Sequence, residues 1–159
     1  MILTFTGCQQ NTKNDQNKVE ETSIQGTFAY DLAFLKKHKS VIVLTAPDEK
    51  GSQAIIIPDY QGRVMTSTAT GGEGNSYGWI NYKLIESNQL QPHINAFGGE
   101  ERFWLSPEGG QFSVYFKKGT KLDFDNWQTP AVIDSEPFEV ISSDSASVTF
   151  QKKAKLENH

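Results

Sequence analysis

The spacing of apolar residues predicts a mostly β protein with one short helix near its N-terminus. Phe28, Leu32 and Leu35 recur at helical spacing in TFAYDLAFLKKH. Thr27 precedes this run and is placed to cap the helix. Further along, the pattern changes to the β-branched runs SVIVLTA, QAIIIP and RVMTSTA. The turn sequence DYQG separates the last two runs, so we predict a hairpin over residues 53–69.

The second half of the chain predicts another short helix and several more strands. NYKLIESNQL is typical of a brief helix, and QFSVYF alternates so that Phe112, Val114 and Phe116 share the core face of a strand. FEVISSDSASVTFQKKAKLE predicts a hairpin that turns at residues 143–146 and whose second strand continues to Leu156. A total of roughly seven strands with little helix predicts an antiparallel β-sandwich.

The N-terminal segment differs in composition from the rest of the chain. A short apolar stretch ends in LTFTGC at Cys8 and is followed by the polar run QQNTKNDQNKVEETS. This arrangement resembles the end of a bacterial lipoprotein signal, in which the cysteine carries the lipid. Only seven residues precede Cys8, so we expect the sequence to begin inside a longer signal. An incidental thiol on a disordered terminus is the alternative.

These patterns predict two segments and a location. We expect residues 1–24 to be a lipoprotein signal remnant with a polar linker, and residues 25–159 to be the β-sandwich domain. Lipidation at Cys8 would place the domain in the cell envelope, either periplasmic or surface-exposed, with membrane contact only through the anchor. The last predicted strand ends close to the C-terminus and leaves an exposed edge, so we expect the domain to be incomplete there.

Composition and charge exclude several functional classes. The net charge is −4, and no patch of lysine and arginine is interleaved with aromatic residues, so we expect no nucleic-acid partner. The glycine-rich stretch TGGEGNSYGWIN lacks the spacing of a phosphate-binding loop. The single cysteine and isolated histidines predict no metal site, and no motif indicates a cofactor or a known set of catalytic residues.

The stretch PHINAFGGEERFWLSPEGG holds the candidate ligand-binding residues. A strand over residues 101–105 would place Arg102 and Trp104 on one face, with Phe103 and Leu105 turned toward the core. An indole stacks on the C–H surface of a ring and a guanidinium offers several donors, so this face predicts a site for a saccharide or another small polar ligand. The predicted ligand-binding residues are His93, Asn95, Glu100, Glu101, Arg102, Trp104 and Glu108.

The same residues also have structural explanations. Arg102 could form a surface ion pair with Glu100 or Glu108, which would contribute little to stability. Trp104 could be a core residue, and the two Gly-Gly pairs could serve only as turns. Residue spacing alone leaves both explanations open.

Four stretches together resemble a known group of sequences. IIIPDYQGRVMTSTA, GWIN, PHINAFGGEERFWLSPEGGQFSVYF and WQTPAVIDSEPFEV are similar to an uncharacterised family of secreted bacterial proteins and lipoproteins. That family is related to the galactose mutarotase-like, or aldose 1-epimerase-like, supersandwiches. The resemblance covers about residues 53–156. Its members are longer, which implies that this chain is an N-terminal fragment.

The resemblance implies a sugar-binding β-supersandwich. Related members carry a Gly-Gly, then Trp, then Pro-Glu arrangement, matched here by Gly98, Gly99, Trp104, Pro107 and Glu108. The characterised epimerases use a histidine and a C-terminal glutamate for proton transfer. The sequence around His93 differs from that of the epimerase histidine, and the glutamate would lie beyond the last residue of this chain.

Three functional hypotheses follow. The first is a cell-envelope lipoprotein whose mutarotase-like sandwich binds a saccharide. The second is a sugar epimerase or another carbohydrate-active enzyme whose catalytic residues lie partly outside this chain. The third is a structural envelope lipoprotein without a small ligand. A fully buried Trp104 with Arg102 paired inside the core would favour the third hypothesis.

Overall fold

The computed structural model describes residues 23–157. Cys8 and most of the predicted linker lie outside the described residues, as do residues 158–159. The helices are α1 (Phe28–His38) and α2 (Tyr82–Ser87), and the strands are β1 (Ile42–Thr45), β2 (Gln53–Ile57), β3 (Arg63–Thr68), β4 (Glu139–Ser143) and β5 (Val148–Gln151). Short 3₁₀ turns lie at Pro58–Tyr60, Phe124–Asn126 and Ala131–Ile133.

Strands β1, β2 and β3 form one antiparallel sheet with β2 in the centre. The predicted hairpin over residues 53–69 is confirmed as β2 and β3, joined through the Pro58–Tyr60 turn. Ile55, Ile57 and Met65 are fully buried on this sheet. The β-branched runs that predicted these strands therefore also supply the main core.

Helix α1, which the spacing of apolar residues predicted, packs on this sheet. Thr27 caps the helix by accepting a hydrogen bond from the Tyr30 backbone N–H at 3.3 Å. Phe28 and Leu35 are fully buried and belong to the same apolar cluster as the sheet residues. The brief helix α2 adds Ile85 to this cluster, so both predicted helices are confirmed.

Strands β4 and β5 form a second, two-stranded antiparallel sheet. Their turn is fixed by Asp144, whose carboxylate accepts the Ala146 and Ser147 backbone N–H groups at 2.8 Å each. The Thr45 backbone N–H donates to the Ser145 carbonyl at 2.6 Å, which ties this turn to β1. The predicted C-terminal hairpin is confirmed, although β5 ends at Gln151 and does not continue to Leu156.

Two predicted strands are wrong, and five strands occur among residues 23–157. Residues 101–105 form only one bridge, between Glu101 and Val64, and residues 111–116 are irregular. Phe112 is 66% exposed, whereas Tyr115 is fully buried and donates from its hydroxyl to the Leu105 carbonyl at 2.7 Å. Alternation fails here because no neighbouring strand holds these residues in a ladder.

The irregular part of the chain has an aromatic core of its own. The ring of Tyr115 stacks on Trp104 at 5.1 Å and on Trp127 at 4.6 Å between centroids. Phe116, Val132 and other apolar residues complete this second cluster. The chain is therefore β-rich, with two small antiparallel sheets, short helices and an irregular segment organised by stacked aromatic rings.

A buried carboxylate joins α1 to the neighbouring loops. Asp31 accepts hydrogen bonds from the hydroxyls of Ser76 and Tyr82, and the Ser76 oxygen also contacts the Thr66 hydroxyl oxygen at 2.6 Å. Burial, together with the hydrogen bond to Asp31, raises the pKa of Tyr82. Asp31 therefore connects the helix to the glycine-rich loop, to α2 and to β3.

Replacing this carboxylate should destabilise the whole sheet-and-helix unit. For Asp31→Ala we expect a loss of about 3 kcal/mol in the free energy of unfolding, because two hydroxyls lose their acceptor. Urea unfolding followed by circular dichroism measures the change. Glu86→Ala, at an exposed position on α2, is the control and should change the value by less than about 0.5 kcal/mol. An Asp31 variant as stable as this control would contradict the assigned role.

Candidate functional site

A groove of about 820 Å³ lies between the β2–β3 turn, the irregular segment after Gly99, and the β4–β5 hairpin. Arg102, Trp104 and Glu101 are on its wall together with Lys152. The rest of the lining is mainly apolar and consists of Gln61, Gly62, Val64, Phe103, Leu105, Val132, Ile133, Phe138, Phe150, Ala154 and Leu156. A volume of this order suits a small ligand.

Gly62 allows the hairpin to approach the β2–β3 turn closely. Its backbone has a φ of +67°, and a Cβ at this position would lie 2.7 Å from the Phe150 ring. Phe150 therefore packs directly on the glycine backbone. This contact sets one edge of the groove.

Arg102 and Trp104 lie side by side on the groove wall. The guanidinium carbon of Arg102 is 4.2 Å from the centre of the Trp104 ring, within the range of a cation–π contact. The Trp104 indole N–H donates to the Glu108 carboxylate at 2.8 Å, so Glu108 orients the indole. Trp104 is half-buried, and the stacked ring of Tyr115 fixes it further.

The partner of Arg102 differs from those expected from the sequence. Arg102 forms no ion pair with Glu100 or Glu108 among the described residues; its Nη2 lies 3.6 Å from Asp134 and donates to the Ile133 carbonyl at 2.8 Å. The Nε of Arg102 is buried and has no hydrogen-bond partner within residues 23–157. Burial lowers the pKa of Arg102, and the negative charge of Asp134 opposes this shift.

Asn95 holds Asp134 in place behind the groove. The Asn95 backbone N–H lies 3.1 and 3.0 Å from the two carboxylate oxygens, and its side-chain amide donates to one of them at 2.7 Å. Both residues are buried. Asn95 was predicted to bind the ligand directly, but the structure places it behind Asp134, where it does not line the groove.

A second buried arginine belongs to the same cluster. Arg63 is only 2% exposed and donates to the Gly98 carbonyl at 2.9 Å. The pKa of Arg63 is lowered to about 10, mainly by burial and then by the positive charge of Arg102, while Asp134 opposes the shift. Two arginines and one carboxylate, from Arg63, Arg102 and Asp134, thus form a buried cluster with excess positive charge.

The burial of Arg63 could have been predicted from the sequence. Arg63 shares the buried side of β3 with Met65, so alternation along the predicted strand could have placed it inside. Asp134 lies in an irregular segment, where no periodic pattern identifies a buried residue.

The first Gly-Gly pair is required by close backbone contacts. Gly98 and Gly99 have φ values of +96° and +111°. A Cβ on Gly98 would lie 2.2 Å from the Trp79 carbonyl oxygen, and one on Gly99 would lie 2.8 Å from the Arg63 side chain. This pair therefore lets the chain pass directly over the buried arginine.

The remaining predicted residues are dispersed. Glu101 is exposed on the groove wall, whereas Glu100 turns toward β3 and accepts the Ser67 hydroxyl at 2.9 Å. His93 is outside the groove lining, with its Nδ1 2.7 Å from the Trp127 carbonyl oxygen and its ring 5.0 Å from Phe124. The structure thus brings Glu101, Arg102 and Trp104 together but not His93 or Glu100.

Neither a cluster of metal-ligating side chains nor a membrane-spanning helix occurs among residues 23–157. No group of three or more histidine, cysteine, aspartate or glutamate side chains within residues 23–157 is arranged to hold a metal ion. No helix in this part of the chain is long and apolar enough to cross a membrane.

Comparison with known protein families gives a match that covers most of the chain. Residues 26–159 match a family of unknown function, DUF6786. No curated protein and no solved structure matches the chain.

The buried charge cluster should be sensitive to loss of its carboxylate. Asp134→Asn preserves the shape but leaves Arg63 and Arg102 without an opposing charge, so we expect a loss of about 3 kcal/mol in the free energy of unfolding. Asp125→Asn, at an exposed aspartate, is the matched control. Urea unfolding of both variants provides the comparison, and equal stability would show that Asp134 does not balance the arginines.

Proposed function

We propose that this chain, which belongs to the DUF6786 family, is a binding module that holds a saccharide in the groove beside Arg102 and Trp104. One observation carries the proposal: a cation–π pair with hydrogen-bond donors lies on the wall of a groove of about 820 Å³. A sugar ring has apolar C–H faces and polar edges, so it complements a wall that combines aromatic, aliphatic and guanidinium groups.

The groove also has the general composition expected of a ligand site. Its lining is mainly apolar and includes a few polar groups, among them Gln61, Arg102 and Lys152. Arg102 donates from Nη2 to the Ile133 carbonyl, and its buried Nε has no hydrogen-bond partner among residues 23–157. A ligand hydroxyl or carboxylate in the groove would accept a hydrogen bond from the guanidinium on its wall.

The wider architecture and location are parts of the same proposal. The two antiparallel sheets are consistent with an antiparallel sandwich of the galactose mutarotase-like kind, and the sequence resemblance supports that assignment. The LTFTGC sequence supports lipidation at Cys8 and a location in the cell envelope. The module would then present its groove to saccharides outside the cytoplasm.

A structural role is the competing explanation, since Trp104 stacks on Tyr115 and Arg102 lies near Asp134. However, Trp104 is only half-buried and both residues line the groove. The geometry therefore favours binding over a purely structural role.

Binding can be tested by adding bulk to the groove. Ala154 lines the groove and is exposed, so Ala154→Trp should fill the space without removing a core contact. We expect the wild-type protein to bind members of a panel of neutral and acidic oligosaccharides, measured by glycan array and isothermal titration calorimetry. Ala154→Trp should weaken binding by about tenfold or more.

Removal of the indole provides a second test with a matched control. Trp104→Ala should reduce affinity by about tenfold or more, because a stacking surface is lost. Trp79→Ala removes a tryptophan that is 63% exposed and outside the groove, and it should bind like the wild type. If no saccharide binds, or if both groove variants bind normally, the proposed function is wrong.

A further inference from the structure

The buried cluster behind the groove contains more positive than negative charge. Arg63 and Arg102 share a single buried carboxylate, Asp134, whose two oxygens already accept the Asn95 donors. Asp134 is 3.6 Å from the nearest Arg102 nitrogen, which is longer than a good charged hydrogen bond. The positive charge near the groove wall is therefore only partly neutralised.

Other charged side chains near the groove do not remove this excess. Lys152 lines the groove and is paired with Glu136 at 2.7 Å. Glu101 also lines the groove, and Glu108 accepts the Trp104 indole N–H beside it, but both glutamates are exposed, so water and salt screen their charges. Lys152 has a carboxylate partner at 2.7 Å, whereas the half-buried guanidinium of Arg102 has its nearest carboxylate oxygen at 3.6 Å.

Arg102 is also fixed in orientation. Contact with the Trp104 ring holds the guanidinium carbon 4.2 Å from the ring centre, while the hydrogen bond to Ile133 restrains Nη2. The group therefore loses little freedom when an acceptor binds. A planar guanidinium with unused donors recognises carboxylates and sulfates better than neutral hydroxyls.

We infer that the ligand of this groove is an acidic saccharide, whose carboxylate or sulfate group binds Arg102 at the wall beside Trp104. This inference rests on the proposed function, since it names the class of saccharide that the same groove would hold. The apolar lining would contact the ring, and the arginine would select the charged substituent.

A pair of probes that differ only in charge tests the inference. Isothermal titration calorimetry compares a short oligomer of galacturonic acid with its methyl ester, and a sulfated galactose oligomer with its unsulfated form. We expect the wild-type protein to bind at least one acidic member about tenfold or more tightly than its neutral counterpart. We also expect this preference to decrease as salt concentration rises.

A substitution of Arg102 tests whether the preference for acidic saccharides depends on this side chain. Arg102→Gln should bind the acidic and neutral members of the pair equally, whereas Lys117→Gln, at an exposed lysine outside the groove, should keep the wild-type preference. Circular dichroism shows whether Arg102→Gln is folded. The wild-type comparison needs no variant, so the inference can be overturned even if this variant unfolds.

The outcomes separate this inference from the proposed function. Equal wild-type affinity for acidic and neutral members would overturn the inference and leave saccharide binding intact. A preference that persists in folded Arg102→Gln would also overturn it, because the charge would be recognised elsewhere. Failure to bind any of these probes or any saccharide in the wider panel would overturn both.

Discussion

The balance between two inward-facing arginines and one carboxylate connects the regular and irregular halves of this protein. Arg63 comes from β3, Arg102 follows the Gly98–Gly99 pair, and Asp134 follows the last 3₁₀ turn. Removing a guanidinium from water is costly unless it keeps an opposing charge or hydrogen-bond acceptors. The three segments are therefore held together by the contacts that these buried side chains require. The same balance leaves Arg102 with unused donors at the groove wall.

Local sequence patterns were sufficient to predict helix α1 and the hairpins, because residues close together in sequence determine these elements. Helix α1 follows from apolar spacing and its Thr27 cap, and each hairpin follows from β-branched runs around turn residues. The region after Gly99 did not follow such rules. Its chain path depends on aromatic stacking between residues far apart in sequence, such as Tyr115 and Trp127, so alternation misplaced Phe112 and Tyr115.

The proximity of Arg102 and Trp104 was predicted from the sequence, but its physical cause differs from the one that was predicted. Arg102 and Trp104 do lie together, but a cation–π contact joins them in an irregular segment rather than a shared strand face. Asp134 was not predicted as a site residue. It lies about thirty residues beyond Arg102, and a contact over this separation cannot be predicted from local residue spacing. His93 and Glu100 are close in sequence to the groove residues and still point elsewhere.

The most direct test of the account is an NMR titration of the tryptophan indole N–H signals. The chain has three tryptophans, Trp79, Trp104 and Trp127, and Trp104→Phe identifies the signal of the groove residue. Addition of the acidic oligosaccharide that binds most tightly in calorimetry should shift the Trp104 signal progressively and to saturation, while the Trp79 signal stays unchanged. A Trp104 signal that does not move, or a saturable shift at Trp79 alone, would contradict the assignment of this groove as the binding site.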